Sequence, residues 1–139
     1  MIIMSTDLGL ARTGIALSDE SETFAFPKSV IAERNTERLV EKIAALAAES
    51  KAGLIVVGYP KNMDGSVGER AEECARIAEL IRDKSGVETV LQDERCTTVS
   101  AHRALNDVNR RGSKRKAVVD AVAATIILQD YLDKRKNSR

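Results

Sequence analysis

At 139 residues the chain is long enough to bury a core as one domain and too short for two. A hydrophobic share of 43% and a charged share of 31% are those of a globular protein, and no apolar run approaches the roughly 20 residues that span a bilayer. Asp7 interrupts the apolar start, so the N-terminus lacks the pattern of a secretory signal, and a cytoplasmic protein with no membrane partner is expected. There is no Trp and there are only two Phe and two Tyr, which leaves Ala, Val, Ile and Leu to build the core. Cys74 and Cys96 share no metal-ligand spacing; Cys74 reads as a small buried hydrophobe within a helix. The net charge of +1 hides an asymmetry: from Arg103 onward ten Lys or Arg face four Asp, while the preceding stretch is acidic. A basic C-terminal third can neutralise phosphates, or it can simply keep a helix and tail soluble.

In chain order, Met1 to Leu8 reads as a buried strand, Gly9 to Gly14 as a turn, and Ile15 to Leu17 as the second arm of a hairpin. A short third strand is expected between Phe24 and Ile31. Leu39, Ile43, Leu46 and Ala47 recur at helical spacing from Thr36, with Gly53 following that helix. Leu54 to Val57 has the continuous apolar character of a central parallel strand. Gly58 to Gly65 has loop composition, and Ser66 and Glu69 have the spacing of a capping box that opens the next helix. Its buried face includes Ala71, Ala75 and Ala78, with Ile77 and Ile81 beside them. Val87 to Leu91 is the last strand, followed by Asp93, Glu94 and Arg95. A short helix is expected over 98–106, a basic loop over 107–113, and a final helix from Lys114 to Lys134 with Val119, Ala123, Ile127 and Tyr131 on one face. One domain thus spans 1–135, with 136–139 a basic tail. Strands alternating with helices after an opening hairpin imply an α/β fold with a partly parallel sheet.

Three carboxylates occupy informative places. Asp7 ends or nearly ends the first strand, where a charge in an apolar run is costly unless paired or bound to metal. Glu94 falls just past the last strand, at the end of an α/β sheet where ligands bind. Asp120 stands among apolar residues of the final helix. Gathered together, such hard oxygen ligands suit Mg²⁺ or Mn²⁺ and in-line phosphoryl displacement. Apart, Asp7 caps a turn, Asp93-Glu94 caps a helix, and Asp120 pairs with Arg115 or Lys116. Sequence order alone does not choose between these.

Four segments together resemble one family. Asp7-Leu8-Gly9-Leu10-Ala11-Arg12-Thr13-Gly14-Ile15-Ala16-Leu17-Ser18-Asp19 is similar to the opening of the YqgF family, also called RuvX, of bacterial RNase H-like proteins. Val57-Gly58-Tyr59-Pro60-Lys61-Asn62-Met63-Asp64-Gly65-Ser66 resembles its second motif, and Asp93-Glu94-Arg95-Cys96-Thr97-Thr98 its third. Lys116 to Ala124, with Ile126 to Gln129, resembles its C-terminal helix. Departures are few: Leu10-Ala11 replaces a more polar pair, Lys61 an apolar residue and Cys96 a Leu. None removes a carboxylate.

The resemblance implies an RNase H-like fold, a mixed five-stranded sheet with helices on both faces. It also implies a nuclease that matures the 5′ end of the small-subunit (16S) ribosomal RNA precursor, with Holliday-junction resolution an older assignment. Carried over by position, the catalytic and metal-binding acids are Asp7, Glu94 and Asp120, the same three singled out above, and the metal is Mg²⁺ or Mn²⁺. Nucleic acid is the expected partner, ribosomal RNA precursor before branched DNA, with ribosomal partners and a monomer or homodimer both compatible. A non-catalytic RNA-binding assembly factor is the alternative outside the enzyme class.

Around these acids, Arg12 and Arg95 flank the site and are candidate phosphate contacts. Arg110, Arg111, Lys114, Arg115 and Lys116 form a basic segment beside Asp120 that suits tracking a phosphate backbone. Asn62, Asp64 and Ser66 are expected to line the substrate groove. His102, the single histidine, reads as an ordinary helix residue.

Overall fold

The computed structural model describes residues 1–61, 64–94 and 112–138, and over 112–120 the backbone alone. Strands β1 (Ile2–Leu8), β2 (Arg12–Ser18) and β3 (Ala25–Ala32) open the chain. Helix α1 (Thr36–Ser50), strand β4 (Ala52–Tyr59), helix α2 (Glu69–Ser85), strand β5 (Thr89–Asp93) and helix α3 (Gly112–Asn137) follow. The sheet order is β3-β2-β1-β4-β5, with β1–β2 and β2–β3 antiparallel and β1–β4 and β4–β5 parallel. This is the expected mixed five-stranded sheet.

Side chains alternate across the pleat, so each strand feeds two cores. Met4, Leu8, Ile15, Ile55 and Val57 pack on one face against Leu39, Val40, Ile43 and Ala47 of α1 and Cys74, Ile77, Ala78 and Ile81 of α2. Ile3, Ala16, Leu54 and Val56 pack on the other against Ala123, Ala124, Ile127, Leu128 and Leu132 of α3. The α3 stripe therefore extends beyond the expected one, and Tyr131 is only partly buried in it. Among the described residues no helix is long and apolar enough to cross a membrane.

Several boundaries differ from the sequence reading, each for a local reason. Gly14 belongs to β2, opposite Asp7, and β3 is a full strand of eight residues. Gly53 lies in β4; the left-handed turn after α1 is taken by Lys51, at φ 57°. Gly58 is in β4, not in the loop that follows. Ser66 does not cap α2. Its backbone N–H and hydroxyl both donate to Asp64 Oδ1, at 2.9 and 2.6 Å, and the helix begins after Gly68 with no side-chain cap. Ala75 is only partly buried, since Cys74 takes the inward position beside it. Lys136 and Asn137, assigned to the tail, continue α3. The helix expected over 98–106, with Cys96 and His102, lies outside the described residues.

The outer edge of β3 is partly closed by α3. The Gln129 amide donates to Thr23 O and accepts from Ala25 N–H, both at 3.0 Å. One side chain thus does for that short stretch what a neighbouring strand would do.

Candidate active site

In this sheet the chain leaves β1 toward β2 on one side, and β4 continues toward β5 on the other. The carboxyl ends of β1 and β4 are therefore a topological switch point, where open α/β sheets bind ligands. The last β1–β4 pair is Thr6 with Val57; beyond it Asp7 and Leu8 complete β1 and Gly58 pairs onward with Gln92 of β5.

Alternation puts Asp7 on the α3 face, with Ile3 and Ser5; Ser5 Oγ donates to Ala124 O at 2.7 Å. Glu94 follows β5 directly and its N–H donates to Tyr59 O at 3.2 Å, which ties it to the end of β4. Asp7 and Glu94 are thus carried two strands apart, ~10 Å along the hydrogen-bonding direction. Both are buried, at 7% and 3% exposure.

Gly58 lies between them. A Cβ there would stand 3.0 Å from Glu94 Oε2 and 2.9 Å from Ile127 Cδ1, so the Glu94 carboxylate leans back over the glycine, toward β1. Burial pushes the Glu94 carboxyl up to about 7, against the Arg70 guanidinium, which lowers it; Asp93 adds to the rise. Asp93 itself is the last residue of β5, so the strand reaches two residues further than Leu91.

Arg70, in the first turn of α2, donates from Nη2 to the carbonyl of Leu8 and pairs through Nη1 with Glu73 Oε2 at 3.3 Å. Neither Gly58 nor Arg70 emerges from motif spacing alone. Signals existed for both: a glycine inside an otherwise β-branched run marks close approach, and a cation in a helix's first turn opposes the dipole.

Of the other predicted residues, Arg12 opens β2 opposite Ala32, and alternation puts it on the same face as Gly14. Asp64 and Ser66 form an exposed turn between β4 and α2. Asp120 lies on α3, and Lys114, Arg115 and Lys116 lie in its opening turns; their side chains, like Asn62, Arg95, Arg110 and Arg111 entirely, are outside the described residues. Among the described residues no three His, Cys, Asp or Glu side chains group closely enough to hold a metal ion. Asp7 and Glu94 nevertheless have the chemistry a hard divalent cation requires: buried carboxylates, one of them desolvated enough to resist ionising alone.

Comparison with known proteins places this arrangement in a family setting. A family model described as RuvX, Holliday junction resolvase, matches residues 1–134. A protein of Thermoanaerobacter pseudethanolicus named "Putative pre-16S rRNA nuclease" is 39% identical over 140 residues, covering 99% of each chain. A protein of the same name from Bacillus cytotoxicus is 40% identical, covering 97% of this chain and all of its own. Among solved structures, Thermus thermophilus RuvC aligns over 99% of this chain and 97% of its own with a TM-score of 0.57 at 12% identity. The fowlpox virus Holliday junction resolvase aligns over 96% of this chain and 99% of its own with a TM-score of 0.55 at 13% identity. The sheet is therefore the RNase H-like one.

Proposed function

Because the chain belongs to the RuvX family, we propose that it is a divalent-metal-dependent endonuclease that processes the 5′ end of the small-subunit ribosomal RNA precursor in the cytoplasm. The observation that carries the chemistry is the pair of buried carboxylates at the switch point, Glu94 leaning over Gly58 toward the strand that bears Asp7.

Asp120 completes the set in this reading. Helix α3 runs antiparallel to β1: Ala124 meets Ser5, while Arg135 meets Glu22, in the β2–β3 turn at the amino end of β1. Asp120 is one helical turn, ~6 Å, before Ala124. Asp7 is two strand residues, ~6.6 Å, beyond Ser5 in the same direction. On this reading the two acids would approach one level from facing elements, and with Glu94, just past β5, they would hold Mg²⁺ or Mn²⁺. When bound, the cation supplies positive charge for activating a water and stabilising the leaving oxygen. The chain's own part is to hold the carboxylates fixed, with Ile127 and the β4 backbone limiting water behind Glu94. Arg12, Arg95 and the basic segment 110–116 would take neighbouring phosphates, and Asn62, Asp64 and Ser66 would border the groove.

The relatives' name favours ribosomal RNA, and the family description favours branched DNA as the second reading. The test is cleavage of end-labelled ribosomal precursor RNA and of a four-way DNA junction, with Mg²⁺ or Mn²⁺, by wild type and Asp7→Asn. RNA cleavage lost in the variant supports the proposal; paired junction cuts lost in the variant move it to the resolvase. Preserved RNA binding without cleavage by either protein would leave a binding factor.

A further inference from the structure

Among the described residues, Arg70 reaches from the first turn of a helix to the backbone of a strand. Arg70 is in the first turn of α2, the positive end of the helix dipole, where Glu69 and Glu72 are the favourable residues and a cation is not. Its side chain is one-third exposed, so it is neither core nor fully solvated. It crosses instead to the Leu8 carbonyl, the residue after Asp7. Leu8 lies beyond Thr6–Val57, the last pair of the β1–β4 ladder, so on that side β4 no longer holds β1. Glu73, one turn along the helix, fixes the guanidinium from behind.

We infer that Arg70 is a positioning residue: a strap across the switch-point crevice that holds the Asp7–Leu8 end of β1 in register with α2 and so with Glu94. The crevice is where two halves of the sheet diverge, and a carboxylate pair spanning it keeps its geometry only if the halves are tied beyond the last backbone pair. A guanidinium suits the task, because its planar fork serves the carbonyl and Glu73 together, whereas an ammonium offers a point charge. The strap is a property of the metal-free chain; its consequence for metal affinity rests on the nuclease reading above.

Two measurements on wild type, Arg70→Gln and Arg70→Lys test it. Hydrogen exchange of the metal-free proteins reads the strap directly. Protection of the Asp7–Gly9 segment falls tenfold or more in Arg70→Gln while Met4 to Thr6 stay protected, with Arg70→Lys between the two. Unchanged protection, or loss spread along the whole of β1, overturns the strap. Should Arg70→Gln fail to fold, Arg70→Lys carries the same comparison. Calorimetric titration with Mn²⁺ reads the consequence. Affinity drops about tenfold or more in Arg70→Gln, as for groups that orient ligands from behind, while RNA affinity in EDTA is unchanged. The reverse pattern, RNA affinity lost and Mn²⁺ affinity kept, makes Arg70 a phosphate contact and overturns the positioning role. A wild type that binds no Mn²⁺ sinks the nuclease reading, and the exchange result still decides the strap.

Discussion

Gly58 and Glu94 compete for one volume: a methyl group on the glycine would stand 3.0 Å from the carboxylate oxygen. The other obstruction, Ile127 Cδ1 at 2.9 Å, is also the far end of a flexible side chain. Gly58→Ala is therefore expected to fold, at a cost of about 1–3 kcal/mol for overpacking, by displacing the carboxylate. Cleavage and Mn²⁺ affinity should fall with it, by tenfold or more. Thermal melts beside Mn²⁺ titrations would check this; a variant that melts earlier but binds Mn²⁺ normally would contradict it.

Glu94 also sets a pH dependence. Its carboxyl is raised to about 7 from an ordinary value of 4.5, mainly by burial. Between those values the folded chain holds a proton that the unfolded chain has released. Stability of the metal-free protein therefore falls as pH rises from 4.5 to about 7, by at most roughly 3 kcal/mol, and stays reduced above that. Glu94→Gln should flatten this slope and be the more stable protein at pH 8 in EDTA, while losing cleavage by orders of magnitude. Mg²⁺ should raise the wild-type melting temperature most at high pH and leave the variant nearly unmoved. Parallel pH slopes for the two proteins would refute the assignment.

The acid on α3 carries its own expectation. Asp120→Asn should reduce cleavage by orders of magnitude with the fold intact, since the contact that docks the helix here runs from the Ser5 hydroxyl to the Ala124 carbonyl, one turn further along. Full metal-dependent activity in this variant, measured on the same RNA, would remove Asp120 from the site.

Neutralising Arg110, Arg111 and Lys114 together should weaken RNA binding and make its salt dependence shallower, by about 0.7 in the log–log slope for each lost single-strand contact. Filter binding across a salt series measures it, and an unchanged slope would move the backbone-tracking surface elsewhere.

Lys51 offers a prediction independent of function. It holds φ 57° and ψ 39° after α1, a left-handed conformation costing an L-residue about 1–2 kcal/mol. Lys51→Gly should raise the melting temperature by about 3 °C with activity unchanged. A lower melting temperature would mean that the glycine's extra freedom in the unfolded chain outweighs the relieved strain.

The strand and helix periods were legible because burial imposes them: Ile3 and Met4 fall on opposite faces as a strand demands, and Leu39, Ile43 and Ala47 share one face of a helix. Asp7 and Glu94 were legible for a related reason, as charges at the ends of apolar runs. What stayed hidden depends on neighbours across the sheet. Gly58 reads as loop until Glu94 is seen above it, and no spacing in the sequence ties Arg70 to the Leu8 carbonyl it meets. Ser66 has the spacing of a cap, but Asp64, two residues earlier, accepts from it first. Lys51 takes a turn that composition gives to Gly53, because β4 begins one residue later.

The Gln129 amide on Thr23 and Ala25 bears on how two copies can meet. An unguarded edge strand invites a second chain to extend the sheet, and here the opening of β3 is already occupied from within, with Pro27 next along offering no N–H. A dimer that presents two active sites to one branched substrate would therefore have to be assembled through some other surface than this stretch of β3. Replacing Gln129 would leave the opening of β3 free to pair with another chain.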